Sequence, residues 1–195
     1  MIVVAIIGIL AAIAVPQFMA YRTRAYNASA KAAINSTKTG EANLNAELGV
    51  FGHSEAAAAT LAAATGAAGL SDSNAIAALA IPATAAVAGA RLAGTNPNNL
   101  KDFSVPLDMG VNMTVQAIAS ATGNSFVAMT RAHNGDTAYG VDSDAGESAL
   151  YSVSNPSWPG MAALQAIPAA ATDNANDFLG LAGGGAPTGN WTLAQ

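Results

Sequence analysis

The stretch that decides the fold is residues 1–52, MIVVAIIGILAAIAVPQFMAYRTRAYNASAKAAINSTKTGEANLNAELGVFG. Residues 1–15 are apolar without interruption, which is typical of a helix in a bilayer or in a dry core. After Pro16 the pattern becomes amphipathic, and no further proline occurs before residue 82. Gly49 and Gly52 are the natural stop for a helix. We therefore predict one long helix within residues 1–52.

The part of this helix that follows Pro16 carries one narrow stripe of residues at three- and four-residue spacing, which predicts a packed face. That stripe consists of Phe18, Tyr21, Ala25, Ala28 and Ala32. Ile34 lies beside it, and Leu44 and Leu48 continue it one helix face later. The helix is thus predicted to be apolar over residues 1–21 and amphipathic beyond.

Charge divides the chain into three parts. Residues 1–21 carry no charge, and residues 22–38 carry four basic side chains and no acid. Residues 39–195 carry three basic and twelve acidic side chains, which gives the whole chain a net charge of −5. This balance makes a general nucleic-acid binder unexpected. The absence of cysteine excludes a disulfide scaffold, a thiolate metal site and cysteine catalysis.

The apolar N-terminal segment has three interpretations from its residues and their surroundings. A secretory signal peptide would have a basic first region, which is missing here, although Ala12-Ile13-Ala14 resembles a cleavage site. A plain membrane anchor is the second interpretation. The third is a helix that assembles with other copies of itself, and it comes from a resemblance.

The segment MIVVAIIGILAAIAVPQF resembles the N-terminal helix of type IV pilins. Its continuation, FMAYRTRAYNASAK, is similar to pilins of the Geobacter and Desulfuromonas group. The close match covers residues 1–38, and the rest of the chain resembles pilins only in general plan. The GFTLIE processing motif of the family is not in the sequence, and we expect it to precede Met1. The cleavage site, the methylated Phe and the buried Glu of the family therefore correspond to no residue here.

The resemblance implies a filament core and a break in its helix. The residues implied to assemble in the core are Ile2, Val3, Ile6, Ile7, Ile9, Leu10, Ile13, Phe18 and Tyr21. Gly8 and Pro16 occupy the positions that bracket a non-helical stretch in assembled pili. Proline removes a helical hydrogen bond and glycine is a poor helix residue, so we expect Ile9–Val15 to be partly extended in a filament.

Basic residues beside a membrane span usually lie on the cytoplasmic side of the membrane. In pilins, by contrast, the folded part of the chain that follows the span lies outside the cell. The basic side chains of this stretch are expected either to pair with acids of neighbouring subunits or to form a solvated helix face. They are Arg22, Arg24, Lys31 and Lys38.

The remainder of the chain predicts an antiparallel sheet. Residues 53–102 are read as an Ala-rich insertion with one or two short helices. Residues 103–153 contain alternating segments and the hairpin signal Asn134-Gly135-Asp136, which together predict a β-meander. Residues 154–195 are read as a loop-rich tail, fastened by packing of Trp158, Phe178 and Trp191. The predicted fold class is α+β, a long N-terminal helix packed on a C-terminal antiparallel meander.

Few residues suggest chemistry. The sequence contains no G-x-S-x-G, P-loop or H-E-x-x-H motif, so we expect no enzyme and no cofactor. His53 and His133 are predicted to be exposed to solvent. Asp142, Asp144 and Glu147 form a weak candidate for a Ca²⁺ site, which requires six to eight oxygen ligands. A solvated turn is the alternative for this acidic cluster.

The resemblance implies an extracellular type IV pilus subunit that supports adhesion and twitching motility. Its expected partners are other copies of itself, the inner membrane before assembly and the pilus assembly machinery, and no nucleic acid is expected. A pseudopilin of a type II secretion system and a membrane-anchored binding module remain as alternatives. The Ala-rich insertion and the lack of a clear Ca²⁺ loop favour the pilin.

Overall fold

The computed structural model describes residues 1–56, 90–96, 102–107, 113–120, 122–144, 149–160, 174–183 and 189–194. One helix, α1, spans Ile2–Leu48. The strands that follow are β1 (His53–Ala56), β2 (Ala90–Thr95), β3 (Asp102–Pro106), β4 (Met113–Ala119), β5 (Phe126–Ala132), β6 (Thr137–Asp142), β7 (Leu150–Ser154) and β8 (Thr192–Leu193). The predicted α+β class, a long N-terminal helix followed by antiparallel structure, is confirmed.

The helix α1 ends where the glycines predict. Gly49 adopts a left-handed backbone with a φ of 72°, and its N–H donates to the carbonyl of Asn45 at 2.7 Å. This closes the last turn of the helix, because glycine takes positive φ without a steric penalty. The side-chain amide of Asn96, the residue that follows β2, donates to the carbonyl of Leu48 and so also binds the helix end.

The helix is unbroken through residues 9–15 in the isolated chain, with Pro16 inside it. Pro16 has no N–H, so the carbonyl of Ala12 loses its usual intrahelical donor. The partly extended stretch expected between Gly8 and Pro16 is therefore absent from this state. That expectation concerns the filament, and there it stays a prediction.

Two antiparallel sheets follow the helix. The larger has the order β4-β5-β6-β7-β8, a meander in which each strand pairs with its neighbour along the chain. The smaller has the order β1-β2-β3. Ser54 joins them, because its hydroxyl accepts from the N–H of Ala117 at 2.9 Å and donates to the carbonyl of the same residue. The sequence predicts an insertion with short helices over residues 53–102, but β1 and β2 lie within this range, whereas β3 falls where the predicted sheet begins. The short helices predicted there fall on residues 57–89, outside the described residues.

Both faces of the larger sheet are covered, so that every residue of β4 and β5 is buried. On one face α1 packs through Ile34 and Leu44 against a core that contains Val115 and Phe126. On the other face lie Val127 and Met129, which pack against the C-terminal region. The described part of the head therefore has three layers, with the meander in the middle.

The docked face of α1 differs from the predicted stripe. Ala25, Ala28 and Ala32 are exposed, as are Phe18 and Tyr21. The buried residues of the helix are Ala30, Ala33, Ile34, Thr37, Gly40, Glu41, Leu44 and Leu48. The prediction chose the wrong alanines, because alanine occurs on every face of this helix and marks none of them.

Aromatic side chains fasten the C-terminal region to the outer face of the meander. Trp158, Phe178 and Trp191 are all buried in one cluster, as the sequence predicts. The ring of Phe178 stacks on that of Tyr151 at 5.4 Å and meets the edge of Trp191 at 4.8 Å. Because the chain contains no cysteine, this region is held by the packing of these rings and not by a disulfide.

Gly140→Ala tests this fastening. A Cβ at Gly140 would lie 2.6 Å from the ring of Phe178 and 3.1 Å from that of Trp191. We expect a loss of about 1–3 kcal/mol in the free energy of unfolding, since overpacking forces these rings to move. The matched control is Gly189→Ala, where an added Cβ meets nothing within 4 Å. Thermal unfolding of both variants in mild detergent, followed by tryptophan fluorescence, measures the difference. Equal thermal unfolding midpoints for the two variants would contradict the packing of Gly140 against these rings.

Candidate assembly surface

The N-terminal half of α1 is an apolar rod that nothing in the described part of the chain covers. Residues 1–22 are all exposed, whichever side of the helix they occupy. The large apolar side chains after Met1, from Ile2 to Tyr21, are between 52% and 78% exposed. All of the predicted assembly residues lie on this surface: Ile2, Val3, Ile6, Ile7, Ile9, Leu10, Ile13, Phe18 and Tyr21.

By length and composition, this helix is able to cross a membrane. Residues 2–21 span about 30 Å at 1.5 Å per residue, which matches the hydrocarbon thickness of a bilayer. We call residues 2–21 the apolar rod and the remaining described residues the head.

Following the helix from the end of the rod, hydrogen bonds to the head begin at Asn27. The side-chain amide of Asn27 donates to the carboxylate of Asp136 at 2.7 Å, and its oxygen accepts from the N–H of Thr137 at 3.3 Å. One turn further along, the hydroxyl of Thr130 donates to the carbonyl of Ala30 at 2.8 Å. The β5–β6 turn and β5 thus fix the helix close to the end of the rod. Sequence reasoning found the Asn-Gly-Asp turn but missed its partner Asn27.

The basic residues lie along the helix beyond the rod. Arg22, Arg24 and Lys31 are exposed, and Lys38 is half-buried. Arg22 and Arg24 each lie over a tyrosine ring of the same helix, Tyr26 and Tyr21 respectively. The expected pairing of these cations with acids of neighbouring subunits stays a prediction.

The acidic candidates serve as acceptors for backbone N–H groups. Asp142 is buried, and its two oxygens accept from the N–H of Asp144 at 3.3 Å and from the N–H of Asp177 at 2.8 Å. Asp144 accepts in turn from the N–H of Asn174. Burial, followed by the hydrogen bond with Asp144, raises the pKa of Asp142 to about 7. The pair therefore fastens residues 174–177 to the end of β6.

The Ca²⁺ hypothesis gains no support from this geometry. Glu147 lies outside the described residues. Among the described residues, no group of three or more His, Asp or Glu side chains is placed to hold a metal.

Both histidines are buried, so the prediction that they face solvent is wrong. The Nε2 atom of His133 lies 2.9 Å from the hydroxyl of Thr114 on the neighbouring strand. Burial, with a further contribution from the nearby Arg131, lowers the pKa of His133. His53 lies in β1 against the larger sheet and is only 6% exposed. Neither burial was visible in the sequence, because both follow from the pairing of strands.

A buried carboxyl that sequence reasoning missed lies on the docked face of α1. Glu41 is fully buried, and its Oε2 accepts from the N–H of Gly52 at 2.9 Å. Its Oε1 has no hydrogen-bond partner within the described structure. Burial raises the pKa of Glu41 from its ordinary value of 4.5 to about 7, against the lowering effect of the Gly52 hydrogen bond. The helix is thus docked most firmly when this carboxyl is protonated.

Glu41→Gln should remove a pH-dependent part of the stability. Because the pKa is raised on folding, the folded chain holds a proton at Glu41 that the unfolded chain releases between pH 4.5 and about 7. The stability of the native chain should therefore fall as the pH rises through this interval. The Gln variant stays neutral at this position. We therefore expect its free energy of unfolding to exceed that of the native chain by up to about 3 kcal/mol at pH 8 and to match it near pH 5.

Unfolding free energies of both chains at pH 5 and pH 8 provide the measurement. Asp142 is common to both, so its contribution cancels in the difference. Lys31→Gln is the control, since it changes an exposed charge on the same helix and leaves the buried carboxyl in place. If the difference in unfolding free energy between the Glu41→Gln variant and the native chain does not change with pH, the role assigned to Glu41 is refuted.

The chain was compared with known proteins. It matches no protein-family model, no curated protein and no solved structure.

Proposed function

We propose that this chain is the structural subunit of an extracellular type IV pilus filament and that it polymerises through the apolar rod. One observation carries the proposal. An uncharged apolar rod, exposed on every side, projects from a folded head that docks the second half of the same helix. Stacking such subunits would hide the rods at the axis and leave the heads outside.

The energetics of the rod favour this arrangement. Burial of apolar surface contributes about 25 cal/mol per Å², so a rod left in water is unfavourable over its whole length. A helix that is apolar all round needs apolar neighbours on all sides. A bilayer supplies them for a stored subunit, and a helical assembly of identical rods supplies them in a filament.

The proposed route has two stages. The subunit is first held in the inner membrane by the rod, and the pilus assembly machinery then transfers it to the growing filament. The exposed heads form the outer coat, through which the filament supports adhesion and twitching motility. No enzymatic activity, cofactor or nucleic acid enters this proposal.

The charge distribution is consistent with this plan. The first acid along the chain is Glu41, and it is buried, so the rod and the helix beyond it carry only positive charge up to that point. Residues 39–195 hold the acids of the chain. Cations at the base of one subunit would therefore face an acidic coat on the next, and pairing of Arg22, Arg24, Lys31 and Lys38 across subunits belongs to the same proposal.

An exposed apolar helix would also serve a pseudopilin of a type II secretion system or a membrane-anchored binding module. The three functions differ in whether the cell surface bears filaments that contain this chain. A pilin gives long surface filaments that contain this chain, a pseudopilin gives none on the surface of a normal cell, and a binding module stays in the membrane as a monomer.

Ile9→Lys tests polymerisation through the rod. Ile9 lies near the middle of the rod and is 65% exposed in the free subunit. A lysine there would place an unpaired charge at the filament axis, and such a charge costs about 2.5–3.5 kcal/mol in an apolar helix environment. We expect the yield of sheared surface filaments to fall at least about tenfold, as counted by electron microscopy and identified by mass spectrometry.

Asn124→Lys is the matched control, because it adds the same side chain at an exposed turn of the head. It should leave the filament yield unchanged. The amount of each variant in the membrane fraction separates a failure of storage from a failure of assembly. Normal filaments built from the Ile9→Lys chain, or native filaments that lack this chain, would contradict the proposal.

A further inference from the structure

We propose that Tyr21, Arg22, Arg24 and Tyr26 form a girdle that binds the phosphates of anionic phospholipids while the subunit is stored in the membrane. This inference rests on the membrane stage of the proposed function and names the lipid chemistry of that stage. We call these four residues the phosphate girdle.

The position of the girdle along the helix matches the headgroup level of a bilayer. The apolar rod of residues 2–21 spans about 30 Å, the thickness of the hydrocarbon region. The girdle begins at the end of the rod, so it would lie at the level of the headgroups when the rod fills the bilayer. Tyrosine is enriched at this level, and arginine extends its charged end toward it.

The girdle consists of two Arg–Tyr pairs arranged around the helix. Arg22 lies over the ring of Tyr26 at 5.6 Å and donates from Nε to the tyrosine hydroxyl at 3.2 Å. Arg24 lies over the ring of Tyr21 at 5.9 Å. At 3.6 residues per turn, the two Arg–Tyr pairs lie on nearly opposite sides of the helix. A single protein partner would contact one side of the helix, whereas the lipids around a stored subunit contact both sides.

The girdle carries the positive charges of Arg22 and Arg24. No acid occurs among residues 1–40, so neither arginine has an acidic neighbour along its own helix. The head reaches this end of the helix through Asp136, whose Oδ1 already accepts from Asn27 and from Thr137. The guanidinium groups are exposed and present planar sets of N–H donors that match phosphate oxygens. The girdle is therefore complementary to an anionic headgroup.

Spin-labelled lipids provide the experiment. The full chain is reconstituted into phosphatidylcholine vesicles that contain spin-labelled phosphatidylglycerol or spin-labelled phosphatidylcholine, at 0.15 M salt. The electron paramagnetic resonance spectrum gives the fraction of each label held at the protein. We expect the native chain to prefer phosphatidylglycerol by at least roughly fivefold, since one basic residue near the surface contributes about that factor.

The double variant Arg22→Gln, Arg24→Gln should bring this preference close to one. Lys31→Gln is the matched control, because it removes an exposed charge on the same helix about 10 Å beyond Arg24, and it should keep most of the preference. High salt should weaken the preference of the native chain, as it screens exposed charges.

Each outcome decides a different point. Equal preferences of the native chain and the double variant would overturn the girdle, and so would an equal loss in the Lys31→Gln control, which would point to net charge alone. Loss of filaments in the double variant without a change in lipid preference would also overturn it, in favour of contact with a second copy. Failure of the native chain to insert into phosphatidylcholine vesicles would instead contradict the membrane stage of the proposed function.

Discussion

The structure depends on the docking of the second half of α1 against the larger sheet. This contact fixes the direction of a helix whose first half touches nothing in the described head. Thr130 and Asn27 hold the helix near the end of the apolar rod, while Leu44 and Leu48 anchor its far end in the core. Without this docking, rod and head would be two parts joined loosely. With it, the hydrogen bonds and core contacts of the second half of α1 set the direction in which the rod leaves the head.

Small residues let the docked half of the helix approach the strands closely. Gly40 is the clearest case, because a Cβ at this position would lie 2.6 Å from the side chain of Leu92. Close approach also buries Glu41, whose carboxyl then has only the N–H of Gly52 as a described partner. Burial therefore raises its pKa, and the strength of the docking becomes dependent on pH. The close approach of the helix to the strands therefore both sets the direction of the rod and raises the pKa of Glu41.

The elements of the fold that sequence predicts best are those with strong local signals. The uninterrupted apolar run and the long interval without proline predict α1, and the Asn134-Gly135-Asp136 turn predicts the hairpin of β5 and β6. The strand predicted over residues 125–131 is observed as Phe126–Ala132. Burial of Trp158, Phe178 and Trp191 also follows from their size and apolar character.

Other features depend on pairings between distant residues and leave little local signal. The strands β1 and β2 border the Ala-rich segment, whose composition favours helix, so their pairing was missed. The docked face of α1 contains Thr37 and Glu41, polar residues that a hydrophobic pattern assigns to solvent. His133 is buried because Thr114 lies beside it on the neighbouring strand. For the assembly surface, the sequence predicts which residues are apolar, and the structure adds that the head leaves them exposed on every side.

A helical reconstruction of sheared surface filaments tests the central claim most directly, with mass spectrometry to identify the subunit. We predict a filament built from this chain, with residues 2–21 packed together at the axis and the heads on the outside. The same map would show whether Ile9–Val15 becomes extended between Gly8 and Pro16. Filaments in which the apolar rods lie away from the axis, or from which this chain is absent, would contradict the account.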